Sequence, residues 1–449
     1  MSDWDEAPLV SLLKSGTSIS YGIVQPGGHQ TDGVPVLRVS DIRDGRISTQ
    51  QPLRVAPEIE SSYTRTRLKG GELLLTLVGT VGETAVVPDE LHGWNVARAV
   101  AVIPVREDIG AYWVRLAMSS RRVQMLIKGR LNTTVQATLN LKDVAQLPIP
   151  LPSAAVRSTI IRIIGDLDAK IELNRRMNDT LESMAHAIFQ SWFVEFDPVC
   201  AKARGETPES ICQRLGLTPE LLALFPDDFE DSFDGVIPAG WTQSTLGEQA
   251  KTHGGFIQTG PFGSQLHASD YVDQGIPVVM PQDMVNRRVS VSKVARVTED
   301  MAQRLSRHAL QPGDVVYSRR GDVERHALVS EREAGWLCGT GCLLVRLGTG
   351  WSSQAYLSEA LDLPATREWL VRHAVGATMP NLNTSILGAV PLLVPPEPLM
   401  QAFERVAGPF RCQQIANSLE SDSLAETRDA LLPKLLSGEL RPDETLLGA

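Results

Sequence analysis

From Ile160 to Trp192, apolar or small side chains recur at alternating steps of four and three, interrupted by one polar step: Ile160, Ile164, Leu167, Ile171, Asn174, Asn178, Leu181, Ala185, Ile188, Trp192. Spacing that averages 3.5 residues predicts a long helix with one continuous seam, of which Gly165 is the weak point. At an offset of 243 the series returns as Phe403, Ala407, Phe410, Gln414, Asn417, Ser421, Leu424, Arg428, Leu431 and Leu435. This second helix is less regular, and Pro433 is expected to bend its last turns. The polar step recurs in place, Asn174 matching Asn417 and Asn178 matching Ser421. Polar side chains in a seam cost stability and set register. Two ordinary core helices with tolerated polar positions are the plainer reading.

Ahead of each helix the period changes to short apolar runs bounded by Gly and Pro. VPVLRV, ELLLTLVG, TAVVP and ARAVAVIPV come first, then IPVVMP, DVVYSRRG, HALVS and CLLVRL. These predict strands joined by turns. YWVRLAMSSRRVQMLIKG and SSQAYLSEALDLPATREWLVRHA read as helices late in each domain. The expected fold class is therefore α/β, with domains at 1–153 and 239–396, helices at 154–196 and 397–437, an acidic connector at 197–238 and a tail at 438–449. The connector is Pro- and Gly-punctuated, has one short helical pattern at Pro219–Leu224, and reads as a linker that lets the second domain swing away from the first helix.

The two strand-rich domains are copies. GVPVLRVSDIRDGRIS (33–48) and GIPVVMPQDMVNRRVS (275–290) agree at six of sixteen positions, and the alignment runs without a gap to Val105 at an offset of 242. A period this long is not that of a solenoid, whose repeats span about 20–50 residues. A duplicated scaffold implies a task performed twice.

The net charge of −10 argues at first against a nucleic-acid partner. Its distribution reverses that. Between Glu195 and Gly235 there are ten acidic and three basic residues, and between Glu420 and Glu444 seven and three, whereas Arg106–Arg130 carries six basic and two acidic. Mildly basic domains suit limited contact with phosphates, or with small anions. No run of eighteen apolar residues suggests a membrane span, and the acidic N-terminus lacks a signal pattern. Five cysteines without a CxxC pair fit reduced, mostly buried thiols in the cytoplasm.

Catalytic motifs are lacking. GxxxxGK[ST] does not occur, nor does an Asn/Asp-Pro-Pro-Tyr methylation motif, HExxH or GxSxG. No metal or cofactor ligand set is assigned. The loop in KTHGGFIQTGPFGSQLH (251–267) offers Gln258, Thr259, Gly260, Phe262, Ser264 and Gln265 to base edges or phosphates, unless it is an ordinary turn. Arg319 and Arg320, where a strand meets a turn, are suited to guanine; Leu77-Val78 replaces them in the first copy. There the candidates are Tyr21, Arg43, Arg46, Arg65 and Arg67. Any single arginine could equally be solvated or paired.

KIELNRRMNDTLESMAHAIFQSWFVEFDPV, IQTGPFGSQLHASDYVDQGIPVVMPQDM, SRRGDVERHALV and PNLNTSILGAVPLLVPP together resemble the specificity subunits of Type I restriction–modification systems, over essentially the whole length. The helix starts SAAVRSTI and EPLMQAF depart from the family's usual Glu-Gln pair. The resemblance implies a non-catalytic subunit whose two target-recognition domains each read half of an asymmetric, bipartite site in double-stranded DNA. It implies an antiparallel two-helix coiled-coil spacer with pseudo-two-fold symmetry, docking two copies of a methylation subunit, joined by a restriction subunit that translocates and cleaves. S-adenosylmethionine, ATP and magnesium would belong to those partners. The seam spans roughly 50 Å, and Asn174 is expected close to Asn417 at its middle. The alternatives are a stand-alone sequence-specific regulator and a nuclease using the acidic cluster at 227–234.

Overall fold

The computed structural model describes residues 4–131, 137–232, 235–291, 294–376 and 378–442; residues 443–449 of the expected tail and 233–234 of the acidic cluster lie outside them. Contacts divide the chain into two compact units, Met1–Asn174 with Glu420–Ala449, and Arg175–Leu419.

Each unit is built on a four-stranded sheet. In the first unit the order is Ser20–Tyr21, Val100–Ile103, Leu73–Thr76, Thr84–Val86; in the second it is Phe256–Thr259, Cys342–Arg346, Val315–Ser318, His326–Leu328. The register repeats at the offset of 242. Val100 faces Thr76 as Cys342 faces Ser318, and Val36 pairs in parallel with Asn95 as Val278 does with Leu337. The repeated identities have structural causes. The Asp41 and Asp283 carboxylates accept from the backbone N–H of Arg38 and Met280, at 2.8 and 2.9 Å, closing the same turn. Gly33 and Gly275 leave no room for a Cβ against the carbonyl oxygens of Val55 and Val297. Alternate side chains of the central strands enter apolar clusters on the sheet's two faces, such as Leu73 and Leu75 on one and Leu74 on the other.

The helical stretch late in each domain is two helices rather than one. Ala111–Ser119 and Arg121–Gly129 are parted at Ser120, whose hydroxyl caps the second by accepting from Val123 N–H. Gln354–Asp362 and Pro364–His373 are parted by a proline at the first helical position, where its missing N–H costs nothing.

Two long helices, Ala154–Phe193 and Glu397–Ser437, contribute to both units, and the second continues through Pro433. In the first unit Arg428 donates to Asp168 at 3.0 Å, and Asn174 donates to Ser421 and Glu420 at 3.3 and 2.8 Å. In the second, Asn417 donates to Asn178 at 2.9 Å and the Phe189 and Phe403 rings lie 5.8 Å apart. Numbering rises on one helix as it falls on the other, so the pairing is antiparallel within each unit. The expected approach of Asn174 to Asn417 concerns residues of different units. Antiparallel packing joins the first polar position of one helix to the second of the other, and the repeat maps Asn174–Ser421 onto Asn417–Asn178.

The connector is a correction. Asp197–Ala203, Pro208–Leu215 and Pro219–Leu222 are helices, two of them missed in the sequence, and they bury Val199, Ala201, Ile211 and Leu222. These join Phe225, Trp241, Tyr356, Phe403 and the end of the first long helix in one cluster. Phe193 alone has three aromatic neighbours within 5.2 Å. Full burial of each such side chain contributes about 1.5–3 kcal/mol. This segment is part of the second unit's core and not a swinging linker. The cysteines also differ from expectation: all are unpaired, but only Cys338 and Cys342 are buried, and Cys412 is exposed.

Candidate nucleic-acid interface

Strand ends position the candidate side chains. In the second unit Thr259 is opposite Leu343 and Ser318 opposite Cys342, so the loops after both strands leave the sheet at one end. Gly260 N–H donates to Cys342 O at 2.9 Å and Arg319 N–H to Gly341 O at 2.8 Å, fastening the two loops to the same segment. The Gly260–Gln265 loop and Arg319-Arg320 are thereby brought together. Gly260 admits no Cβ against the Gly339 carbonyl oxygen, so this approach of two backbones requires glycine. Behind the arginines, Leu382 N–H donates to Arg319 O at 2.8 Å and Gly321 N–H to Pro380 O at 3.0 Å.

The loop side chains divide between fastening and display. Gln258 donates to Arg307 O at 2.6 Å, and the Gln265 side-chain oxygen accepts from Phe262 N–H at 3.1 Å. Thr259 is half-buried, whereas Ser264 and Phe262 are exposed, Phe262 to 55%. Arg320 is exposed. Arg319 Nε and Asn381 Oδ1 are buried without a hydrogen-bond partner among the described residues. Buried polar atoms are normally satisfied, so this end of the sheet has unused donor and acceptor capacity.

The first unit has the same frame. Leu77 N–H donates to Ala99 O at 2.7 Å, Leu139 N–H to Leu77 O at 2.9 Å, and Gly22 N–H to Val100 O at 3.3 Å. Tyr21 is opposite Ala101, which makes it the counterpart of Thr259, and it is 49% exposed. Gly22 is the counterpart of Gly260 and likewise leaves no space for a Cβ, here against Val96 O. The sequence comparison missed this pair because the offset here is 238, four residues short of the repeat.

The remaining candidates separate. The turn Ser61–Thr66 packs beside the Ser20–Tyr21 strand and carries exposed Arg65. Arg67 donates from Nε to Glu60 at 2.8 Å, and that bond holds the buried Glu60 carboxyl below its ordinary pKa. Arg43 and Arg46 are not at this place. They lie on the hairpin Ile42–Ile47, which packs against Thr84–Val86, the opposite edge strand from Tyr21. Arg46 Nε is 3.4 Å from Glu172 on the long helix, while Arg43 is 85% exposed beside Asp44. The second unit's hairpin does the same with Arg287, which donates to Glu359 at 2.7 Å and Glu182 at 2.9 Å. Both hairpins dock a domain on its helix.

Among the described residues no three or more His, Cys, Asp or Glu side chains converge to hold a metal ion, and no helix is long and apolar enough to cross a membrane.

Comparison with known proteins fits this frame. The Type I restriction modification DNA specificity domain matches residues 1–183. The Type I restriction enzyme EcoBI specificity subunit of Escherichia coli is 29% identical over 214 residues, covering 46% of this chain and 44% of that one. The HindI specificity subunit of Haemophilus influenzae is 27% identical over 351 residues, covering 71% and 74%. The crystal structure of the Type-I restriction-modification system S subunit from M. genitalium has the same fold, with a TM-score of 0.52 at 15% identity over 98% of this chain and 97% of that one. The chain spans under half of the EcoBI relative and about three quarters of the HindI one. With two copies of one scaffold, each carrying a different set of side chains at the same sheet end, the chain is similar to the DNA-specificity subunits of Type I restriction–modification systems.

Proposed function

We propose that this chain reads a bipartite, asymmetric sequence in double-stranded DNA, one half through each unit, on behalf of catalytic partners. One observation carries the reading: the two units share a backbone frame at the sheet end, hydrogen bond for hydrogen bond, yet one places buried Leu77 and half-buried Val78 where the other has half-buried Arg319 and exposed Arg320. A scaffold kept constant while the side chains at its end change suits two different half-sites. Arginine is the side chain best matched to guanine in the major groove. Antiparallel pairing of the long helices, with the repeat mapping one polar pair onto the other, supports two equivalent surfaces for two methylation subunits, to which a restriction subunit is added. The chain itself is non-catalytic and cytoplasmic; S-adenosylmethionine, ATP and magnesium act on the partners.

Exchange of residues 1–153 for the first domain of another family member tests this. One half of the recognised sequence changes and the other stays. If both halves change, or neither does, the division of labour is wrong. Purified chain that methylates or cleaves DNA unaided would also refute it.

A further inference from the structure

The first unit lacks the arginine pair, but a different segment supplies a cation at the same sheet end. Leu77 N–H donates to Ala99 O as Arg319 N–H donates to Gly341 O, so Ala97-Arg98-Ala99 and Gly339-Thr340-Gly341 occupy equivalent positions. Arginine and uncharged residue have changed places across one ladder hydrogen bond. The second unit has Arg319-Arg320 facing Thr340; the first has Leu77-Val78 facing Arg98. Adjacent strands are about 4.8 Å apart, less than the reach of an arginine side chain, so a guanidinium from either segment covers the same ground.

Arg98 is exposed and well placed. Its backbone N–H donates to Ile23 O at 2.8 Å, and Ile23 N–H donates to Val96 O at 2.8 Å, which fixes it beside Tyr21 and Gly22. Its neighbours Ala97 and Ala99 are small and leave the approach open. Most other arginines of this unit are engaged: Arg46 with Glu172, Arg67 with Glu60, Arg115 with Asp168, Arg122 with Glu6. No carboxylate or carbonyl engages the Arg98 guanidinium among the described residues. Its two parallel donors are available for the paired acceptors of a guanine edge.

We infer that Arg98 is the base-reading arginine of the first unit, doing from the facing segment what Arg319 or Arg320 does in the second. The inference rests on the function proposed above and adds to it a specificity-determining residue. The test uses the full chain with its methylation subunit and selection from a pool of duplexes of random sequence. Wild-type complex enriches a split motif. Arg98→Ala relaxes one base pair in one half by roughly 5- to 150-fold, the range for a bidentate arginine contact, and leaves the other half unchanged. Arg98→Lys, which keeps the charge but not the fork, loses the same discrimination while retaining most of the affinity. Arg98 is exposed and its guanidinium is unpaired among the described residues, so thermal melting of both variants matches wild type. A motif unchanged in both halves overturns the inference, as does affinity lost equally for all sequences, which marks a phosphate contact. If the wild-type complex enriches no split motif, the function itself fails, whatever the variants do.

Discussion

Asp168 joins three elements of the first unit. Its carboxylate accepts from the Tyr112 hydroxyl at 2.7 Å, from Arg115 at 2.7 Å and from Arg428 on the second long helix at 3.0 Å. Asp168→Ala removes all three, takes from Arg115 its carboxylate partner and leaves Arg428 with Asp429 alone. Hydrogen bonds to charged groups contribute about 1.5–3 kcal/mol when well buried. The Asp168 side chain is 24% exposed and that of Arg428 30%, so solvent screens the third bond and the low end applies. The expected loss is about 3 kcal/mol, a large part of the roughly 5–15 kcal/mol that stabilises a domain. In urea, with a slope of about 2–3 kcal/mol per molar, the first unit's transition moves down by about 1 M. Burial alone raises the Asp168 carboxyl, but Tyr112 and the two arginines more than offset it, so its pKa lies below the ordinary carboxylate value. A carboxylate with a depressed folded pKa stabilises fully above its unfolded pKa of about 3.9 and loses that contribution as pH falls through the folded value. The gap between wild type and Asp168→Ala is therefore constant from about pH 5 to 8 and closes below pH 4. Urea titrations at pH 7, 5 and 3.5 check this. A shift under about 0.3 M at pH 7, or a gap that widens on acidification, refutes the reasoning.

Arg319→Ala and Arg320→Ala together relax base preference in the second half-site by about 1–3 kcal/mol per lost base contact; unchanged selection from a random duplex pool refutes the assignment. Gly260→Ala drives a Cβ into the Gly339 carbonyl and costs several kcal/mol in the second unit, read as a lower melting temperature together with weakened recognition of that unit's half-site alone. Asn178→Ala removes the Asn417 amide's bond to the Asn178 side chain and costs about 1–3 kcal/mol. The double change Asn178→Leu with Asn417→Leu is neutral or stabilising, and strong additivity of the single losses would contradict the pairing.

Much of the architecture was legible because the duplication reported on itself. The offset of 242 located Gly33, Asp41 and their partners, and the structure shows these to be the residues that close turns and admit backbones. The seam positions of both helices are buried or half-buried throughout. Two kinds of information were hidden. Pairings distant in sequence, such as Arg46 with Glu172, leave no local trace. The connector misled for a related reason. Its Pro, Gly and acidic residues mark its wet face, while Val199, Ile211, Leu222 and Phe225 are too widely spaced to show a period. Arg98 leaves no trace in the repeat alignment, because its counterpart arginines lie across the Leu77–Ala99 hydrogen bond and not at the equivalent position.

The first unit is assembled from the two ends of the chain, with the 245 residues of Arg175–Leu419 between them. At the ribosome, where synthesis runs at about 5–20 residues per second, the seam side chains Ile160, Ile164 and Leu167 emerge long before Leu431, Leu435 and Leu436, which pack in the same cluster. The nascent first unit therefore waits roughly a quarter of a minute to a minute with part of its core uncovered. Loss of the last helix, even by a stop codon far beyond residue 174, removes a wall of the domain made first. The order of synthesis thus makes the finished carboxyl-terminal helix a condition for either unit to complete its core, and shields a truncated chain poorly from degradation.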